Sequence, residues 1–185
     1  MANPITLAEV QSHLRLGTLD AAEQAELTIM ITAATEMAES YCNRSWRSGT
    51  KAVLFTRFPS SETKELAITD DVQSVTSIGY FDSSNVASTF TDFRVVNVGG
   101  RSDIYPSFGK YWPSDSNELP YNITVTTVVG DEASIPSSVK SAILLMVADL
   151  YENRENDVVG VGIVVNKLTS MTSKLLLHPY KTRIA

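Results

Sequence analysis

The residues that could do chemistry in this chain are few and poorly placed for catalysis. There is one cysteine, Cys42, and two histidines, His13 and His178. A thiol nucleophile needs a base within hydrogen-bond reach. Cys42 stands in Tyr41-Cys42-Asn43 with nothing local to activate it, and a lone cysteine at the end of a helix more often packs as a small apolar residue. A small enzyme using a Cys–His pair stays open as an alternative. Neither histidine has a second His, Cys or carboxylate at metal-ligand spacing, so no metal and no cofactor is expected. His13 suits the dipole at the end of a first helix. There is no G-x-S-x-G, no phosphate loop and no G-x-G-x-x-G. Gly99-Gly100 and Asp70-Asp71 read as turns, and Asp115 to Glu118 lacks the spacing and glycine of a calcium loop. The chain is not expected to be an enzyme.

One feature resembles a binding surface. Tyr105, Phe108, Tyr111 and Trp112 cluster in the stretch 104–113. Such aromatics stack on sugars or single-stranded bases, and they also serve as a lid pinning a long loop. Both readings stand at the level of sequence, so a glycan- or single-strand-binding module is the alternative function.

The totals bound the classes further. A chain of 185 residues suits one domain, or one with a large insertion, and buries about 70% of its unfolded surface. A net charge of −6 argues against general attraction to nucleic acid. The charge is uneven: Asp20 to Cys42 holds Asp20, Glu23, Glu26, Glu36 and Glu39 without a base, and Asn166 to Ala185 holds Lys167, Lys174, Lys181 and Arg183 without an acid. Such asymmetry can mark a contact segment or merely a solvated face. MANPITLAEV does not read as a secretory leader, so the sequon at Asn122-Ile123-Thr124 is expected to be a coincidence within a strand. No segment reaches the roughly 20 apolar residues of a membrane span.

The elements follow from local patterns. Thr6-Leu7-Ala8-Glu9 is a capping box opening a short helix, with Gly17 as its expected stop. Asp20-Ala21-Ala22-Glu23 is a second box, opening a helix over 21–42 with Leu27, Met30, Ile31, Ala34, Met37, Ala38 and Tyr41 on one face. From 51 to 130 the helical period disappears. β-rich runs at 52–58, 65–69, 75–81, 93–98 and 121–129 are separated by Pro, Gly, Asp, Asn and Ser turns. Pro136 then introduces a helix with seven consecutive apolar residues, Ala142 to Ala148. Val139, Ile143, Met146, Val147 and Leu150 fall on its broad apolar stripe, and almost every side is apolar, so it is read as a core and subunit–subunit helix.

Behind it, Val158 to Val165 is apolar and glycine-punctuated, and Leu175-Leu176-Leu177 precedes His178-Pro179-Tyr180 in a short helical stretch. Apolar residues so near a terminus call for a docking partner. The fold class is α+β: a small bundle of two N-terminal helices and one long buried C-terminal helix (1–49 and 131–157), an antiparallel β insertion (50–130) and an extended C-terminal tail (158–185).

In sequence order these elements resemble the head–tail connector (adaptor, or head-completion) proteins of long-tailed bacteriophages and prophages. The resemblance is carried by Ile5-Thr6-Leu7-Ala8-Glu9-Val10, Ala38-Glu39-Ser40-Tyr41-Cys42-Asn43-Arg44, Val72 to Ile78, Asp92-Phe93-Arg94-Val95, Trp112-Pro113, Ile135-Pro136, Leu150-Tyr151-Glu152-Asn153-Arg154-Glu155 and Leu175 to Lys181. It departs in the β section, where Thr127 to Asp131 stands in place of the usual aromatic-glycine motif.

The resemblance implies a structural virion protein in the neck, assembled in the bacterial host cytoplasm. It implies a homo-oligomeric ring, of twelve copies, beneath the portal protein. That ring would extend the channel for double-stranded DNA, without sequence-specific binding, and present a surface to a stopper or tail-completion protein. It further implies that Leu175, Leu176, Leu177, Pro179, Tyr180, Lys181 and Arg183 hold the portal. If the second helix lines the channel, Glu23, Glu26, Glu36 and Glu39 would repel passing phosphates.

Overall fold

The computed structural model describes residues 3–60, 65–70, 72–117, 119–131, 134–153 and 168–182, the side chains of 168–170 excepted. The apolar run 158–165 and Arg183 lie outside them. The chain divides into two units: Met1–Trp46 with Glu132–Lys181, and Arg47–Asp131 with Thr182–Ala185.

The first unit is helical. Helix α1 (Leu7–His13) opens with the full capping box: the Glu9 N–H donates to Thr6 Oγ1 (3.2 Å), and Glu9 Oε2 accepts from the Thr6 N–H (2.7 Å). It ends before Gly17. Arg15 takes the left-handed conformation (φ 54°), its N–H bonds to Ser12 O, and the Leu16 N–H reaches back to Gln11 O. This Schellman turn brings Leu16 back against the core. Helix α2 (Ala21–Cys42) has the second complete box, Asp20 with Glu23, and stops at Asn43 (φ 50°).

Helix α3 (Ser137–Glu152) places Val139, Ala142, Ile143 and Val147 in the interior against Leu27, Ile31, Ala34 and Ala38 of α2. Helix α4 (Leu168–Leu177) and a 3₁₀ turn (His178–Tyr180) complete the unit. Leu177 is fully buried beside Cys42, and the Cys42 thiol donates to its carbonyl (3.7 Å). Tyr180 meets the edge of Trp46 (5.9 Å between centroids) and accepts a hydrogen bond from Ser138 (3.0 Å).

The second unit holds two antiparallel sheets. β1 (Gly49–Phe55), β7 (Ile123–Val129), β3 (Val72–Phe81) and β4 (Ala87–Phe90) form one, in the order β1-β7-β3-β4. β2 (Leu66–Ile68), β6 (Arg101–Pro106) and β5 (Phe93–Val98) form the other, in the order β2-β6-β5. The β-rich runs of the sequence overlap β1, β2, β3, β5 and β7, the first of them displaced, since 52–58 was expected and the strand is Gly49–Phe55. β4 is a four-residue edge strand, Ala-Ser-Thr-Phe, too short and too polar to stand out. β6 hides its alternation between charges: Ser102 and Ile104 are fully buried while Arg101 and Asp103 pair with each other (2.6 Å). Val98 pairs with Arg101, leaving Gly99-Gly100 (φ 61° and 85°) as a two-residue hairpin loop.

The core of this unit is Phe58, Leu66, Ile68, Val72, Ile78, Ile104, Trp112, Ile123, Val125 and Val129. Buried polar groups are answered. Ser102 Oγ donates to Asp70 O (2.8 Å) and accepts from the Val72 N–H (2.8 Å). Asn122 clasps Phe81 through both backbone groups (2.9 Å each), so the sequon asparagine is occupied and only 6% exposed.

Candidate functional site

The enzymatic reading meets an inert thiol. Cys42 has no exposed surface, and burial pushes its pKa up to about 11, against smaller opposing effects of Arg44, Trp46 and Lys181. Among the described residues no group of three or more His, Cys, Asp and Glu could hold a metal ion, and no helix is long and apolar enough to cross a membrane. Among the described residues, large apolar side chains are exposed at several places, three of which bear on the predicted sites.

The first is on α2. Its core stripe is Leu27, Ile31, Ala34, Ala38 and Cys42. A second stripe, Ile29, Ala33 and Met37, runs at four-residue spacing between a quarter and half a turn away, at about 100° per residue. Ile29 is 69% and Met37 54% exposed, so Met37 lies off the face to which periodicity assigns it. With Tyr41 and Met146 the lower part of this stripe lines a groove of ≈ 580 Å³, rimmed by Glu36 and Lys174. Here Met146, a member of the sequence-predicted α3 set, reaches the surface. Leu150 is half-buried against the core, and Val139, Ile143 and Val147 are wholly inside.

The acids of α2 do not share a face. At about 100° per residue, Glu23, Glu26, Glu36 and Glu39 spread over roughly 200°. Glu23 accepts from the Asp20 N–H at the helix start (2.9 Å), and Glu39 accepts from the Trp46 N–H after its end (2.8 Å). Glu26 falls within the angular sector of the exposed stripe, and Glu36 lies at its edge.

The second place is the outer side of α4, where Met171 and Leu175 are 61% and 69% exposed, opposite buried Ser173 and Leu177. The predicted docking residues therefore divide. Leu177 is core, and Leu176 and Tyr180 pack partly against it. Leu175 and Pro179 face outward, and Lys181 lies over the Tyr41 ring (5.0 Å).

The third place is the aromatic loop, whose four rings are dispersed. Trp112 is buried, stacked on Phe58 and tilted against Phe90. Tyr105 lies on β6 under the Arg94 guanidinium (5.4 Å). Phe108 is completely exposed, and Tyr111 is 69% exposed.

This chain shares its architecture with solved assemblies. Aligned over 98% of its length and 91% of the other chain, it superposes at a TM-score of 0.73 and 20% identity on a chain in the neck of an empty gene transfer agent (GTA) particle, computed with C6 symmetry. A chain in the virion of a native gene transfer agent particle matches at 0.70 and 22% identity, over 98% and 91% of the two chains. A chain in the neck of a native particle, computed with C12 symmetry, matches at 0.66 and 18%, over 97% and 89%. The fold is that of a particle-neck chain. No family model matches the sequence, and no curated protein matches it.

The neck fold accommodates both units, since the match spans nearly the whole chain. Sequence reasoning passed over Ile29, placed Met37 on the core face of α2, and named Phe108 only as one of four clustered aromatics. The i, i+4, i+8 spacing of Ile29, Ala33 and Met37 was a usable signal for the first two. For Phe108 the flanking Pro106 and Gly109 mark a turn, but nothing in sequence separates it from Trp112.

Proposed function

We propose that this chain is a structural neck protein of a phage-type particle, placed in the virion and acting by assembly, not catalysis. Copies form a ring beneath the portal. The ring prolongs the DNA channel and offers its far side to a stopper or tail-completion protein. The observation that carries the reading is the likeness of fold, over 98% and 97% of the chain, to chains in two gene transfer agent particle necks.

The exposed apolar stripes support it, since Ile29, Met37, Met171 and Leu175 are large side chains left wet in a single copy. Rings of twelve and of six are both compatible with the symmetries of those neighbours. In this reading α4 is anchored to its own subunit by Leu177 and holds the portal with its outward side, Leu175, Pro179 and Lys181, together with Arg183. Glu26 and Glu36 are the α2 acids whose positions suit a channel wall or a subunit boundary; Glu23 and Glu39 serve the helix ends.

The test is the native mass by light scattering, alone and with the portal of the same particle. A closed ring, or a monomer that joins the portal in a fixed multiple, supports the reading. A monomer indifferent to the portal overturns it.

A further inference from the structure

We infer that the Phe108 loop of one copy seats in the α2 groove of the next copy, forming the repeating contact of the ring; this rests on the ring reading above. Phe108 is fully exposed, yet its loop is well tied. The Ser107 N–H donates to Asp92 O (2.8 Å), the Lys110 N–H to Ser107 O (2.9 Å), and Lys110 Nζ lies 3.3 Å from Asp92 Oδ2. Gly109 takes a positive φ of 73°, which completes the turn. A fixed turn that holds an aromatic ring in water is a preformed knob.

The groove is its converse. Ala33 leaves room between Met37, Tyr41 and Met146, and methionine side chains adjust to a ring inserted among them. At ≈ 580 Å³ it is an open surface groove with room for an aromatic side chain. The charges allow one pairing across the contact. The groove is rimmed by one acid, Glu36, and one base, Lys174, and the α2 segment from Asp20 to Cys42 adds no further base. Arg94 and Lys110 line the concavity around Phe108 and Tyr111.

Knob and groove are different surfaces, and every copy carries both. A contact between unlike surfaces of identical chains is head-to-tail, and it closes into a ring when the rotation permits. A twofold dimer would instead need one patch facing itself. The cyclic symmetry applied to the neighbouring necks favours a second copy of this chain as the occupant.

The experiment uses the full-length protein under the conditions in which wild type assembles, with the portal if required. Phe108→Ser is expected to raise the concentration needed for assembly tenfold or more with an unchanged melting temperature, because the side chain touches little in its own copy. A chain carrying both Met37→Cys and Phe108→Cys is expected, on mild oxidation, to give a ladder of covalent multimers ending at the ring. Phe108→Ser assembling like wild type overturns the contact, as does a double-cysteine chain that bridges only onto itself or gives no ladder. If wild type still forms the ring in those cases, the neck reading stands without this contact. Wild type that never assembles, alone or with the portal, removes both.

Discussion

The indole of Trp112 lies nearly parallel to the ring of Phe58, with 5.3 Å between centroids and 19° between planes. Phe58 in turn meets Tyr80 edge-on at 5.3 Å. Trp112 comes from the long segment after β6 and Phe58 from the one after β1, so the stack ties two irregular stretches to the sheets. Trp112→Ala removes a 7%-exposed ring from this cluster. The expected cost is about 3–5 kcal/mol, read as a lower denaturation midpoint in the β unit. Such a variant would therefore be a poor probe of ligand binding by the aromatic loop; Phe108 is the residue to change for that purpose.

Gly130 ends β7 at φ 73° with its back against Arg47. A Cβ placed there would lie 2.2 Å from the Arg47 carbonyl oxygen, and that oxygen is main chain and cannot swing aside. Gly130→Ala combines the left-handed penalty with this collision. The expected loss is at least about 2 kcal/mol. Gly99→Ala is the control: its φ is also positive, at 61°, but no atom lies within 4 Å of the added methyl, so only the smaller conformational cost is expected. Paired thermal melts of the two variants separate collision from strain.

What could be read from the sequence was whatever is decided locally. Both capping boxes, the bounds of α2 and the Gly99-Gly100 turn depend on residues within four positions of one another. The stop of α1 also uses local bonds, but it turns at Arg15 because Leu16 gains a place on the core, which no local pattern announces. β6 was obscured because its solvent-side residues are an Arg101–Asp103 pair, which reads as a loop. The candidate surfaces were the least legible. Met37 and Ala38 are neighbours of similar hydrophobicity, and only packing decides that one is 54% exposed and the other buried. The same holds for Phe108 and Trp112. Leu177 was read as tail because its partners, Cys42 and α3, are remote in sequence.

Cys42 offers a clean readout of the helical unit. Its thiol is fully buried and its pKa is raised from 9.0 to about 11 by burial. At pH 8 a thiol reagent is expected to leave the native protein unmodified and to react stoichiometrically once denaturant opens the unit. The sign of the pH effect follows from the raised value: the folded state holds the proton more tightly than the unfolded one. Its contribution to stability is full below pH 9 and is lost as pH rises toward 11. Cys42→Ala should flatten that alkaline loss in a series of denaturant melts; rapid native labelling at pH 8 would refute the buried placement.

The first capping box carries the opposite dependence. The backbone and side chain of Thr6 hold the Glu9 carboxylate below its ordinary 4.5, partial burial opposes them, and Lys140 (3.5 Å) adds a smaller favourable effect. A lowered acid stabilises the fold above its unfolded pKa, and the contribution fades as pH falls through the folded value. Thr6→Ala is expected to cost about 1 kcal/mol at neutral pH. Glu9→Gln should cost less, because the group is well solvated, and its effect should fade in melts as pH falls below the ordinary carboxylate range and through the lowered folded value.

Leu175 and Leu177 are two residues apart on α4 and face opposite ways, one 69% exposed and the other wholly buried. This separates docking from folding. Leu177→Ala opens a cavity beside Cys42 and is expected to cost about 2–5 kcal/mol, with thiol reactivity at Cys42 rising in parallel. Leu175→Asp changes a side chain held by little of its own subunit, so stability should move by no more than about 0.5 kcal/mol. If α4 holds the portal by its outward side, that same variant loses portal capture in a co-sedimentation assay while its melting curve stays in place. Full portal capture by Leu175→Asp would show that the outward side of α4 does not hold the portal. Loss of capture only in variants that also unfold would show that the tail matters for the fold alone.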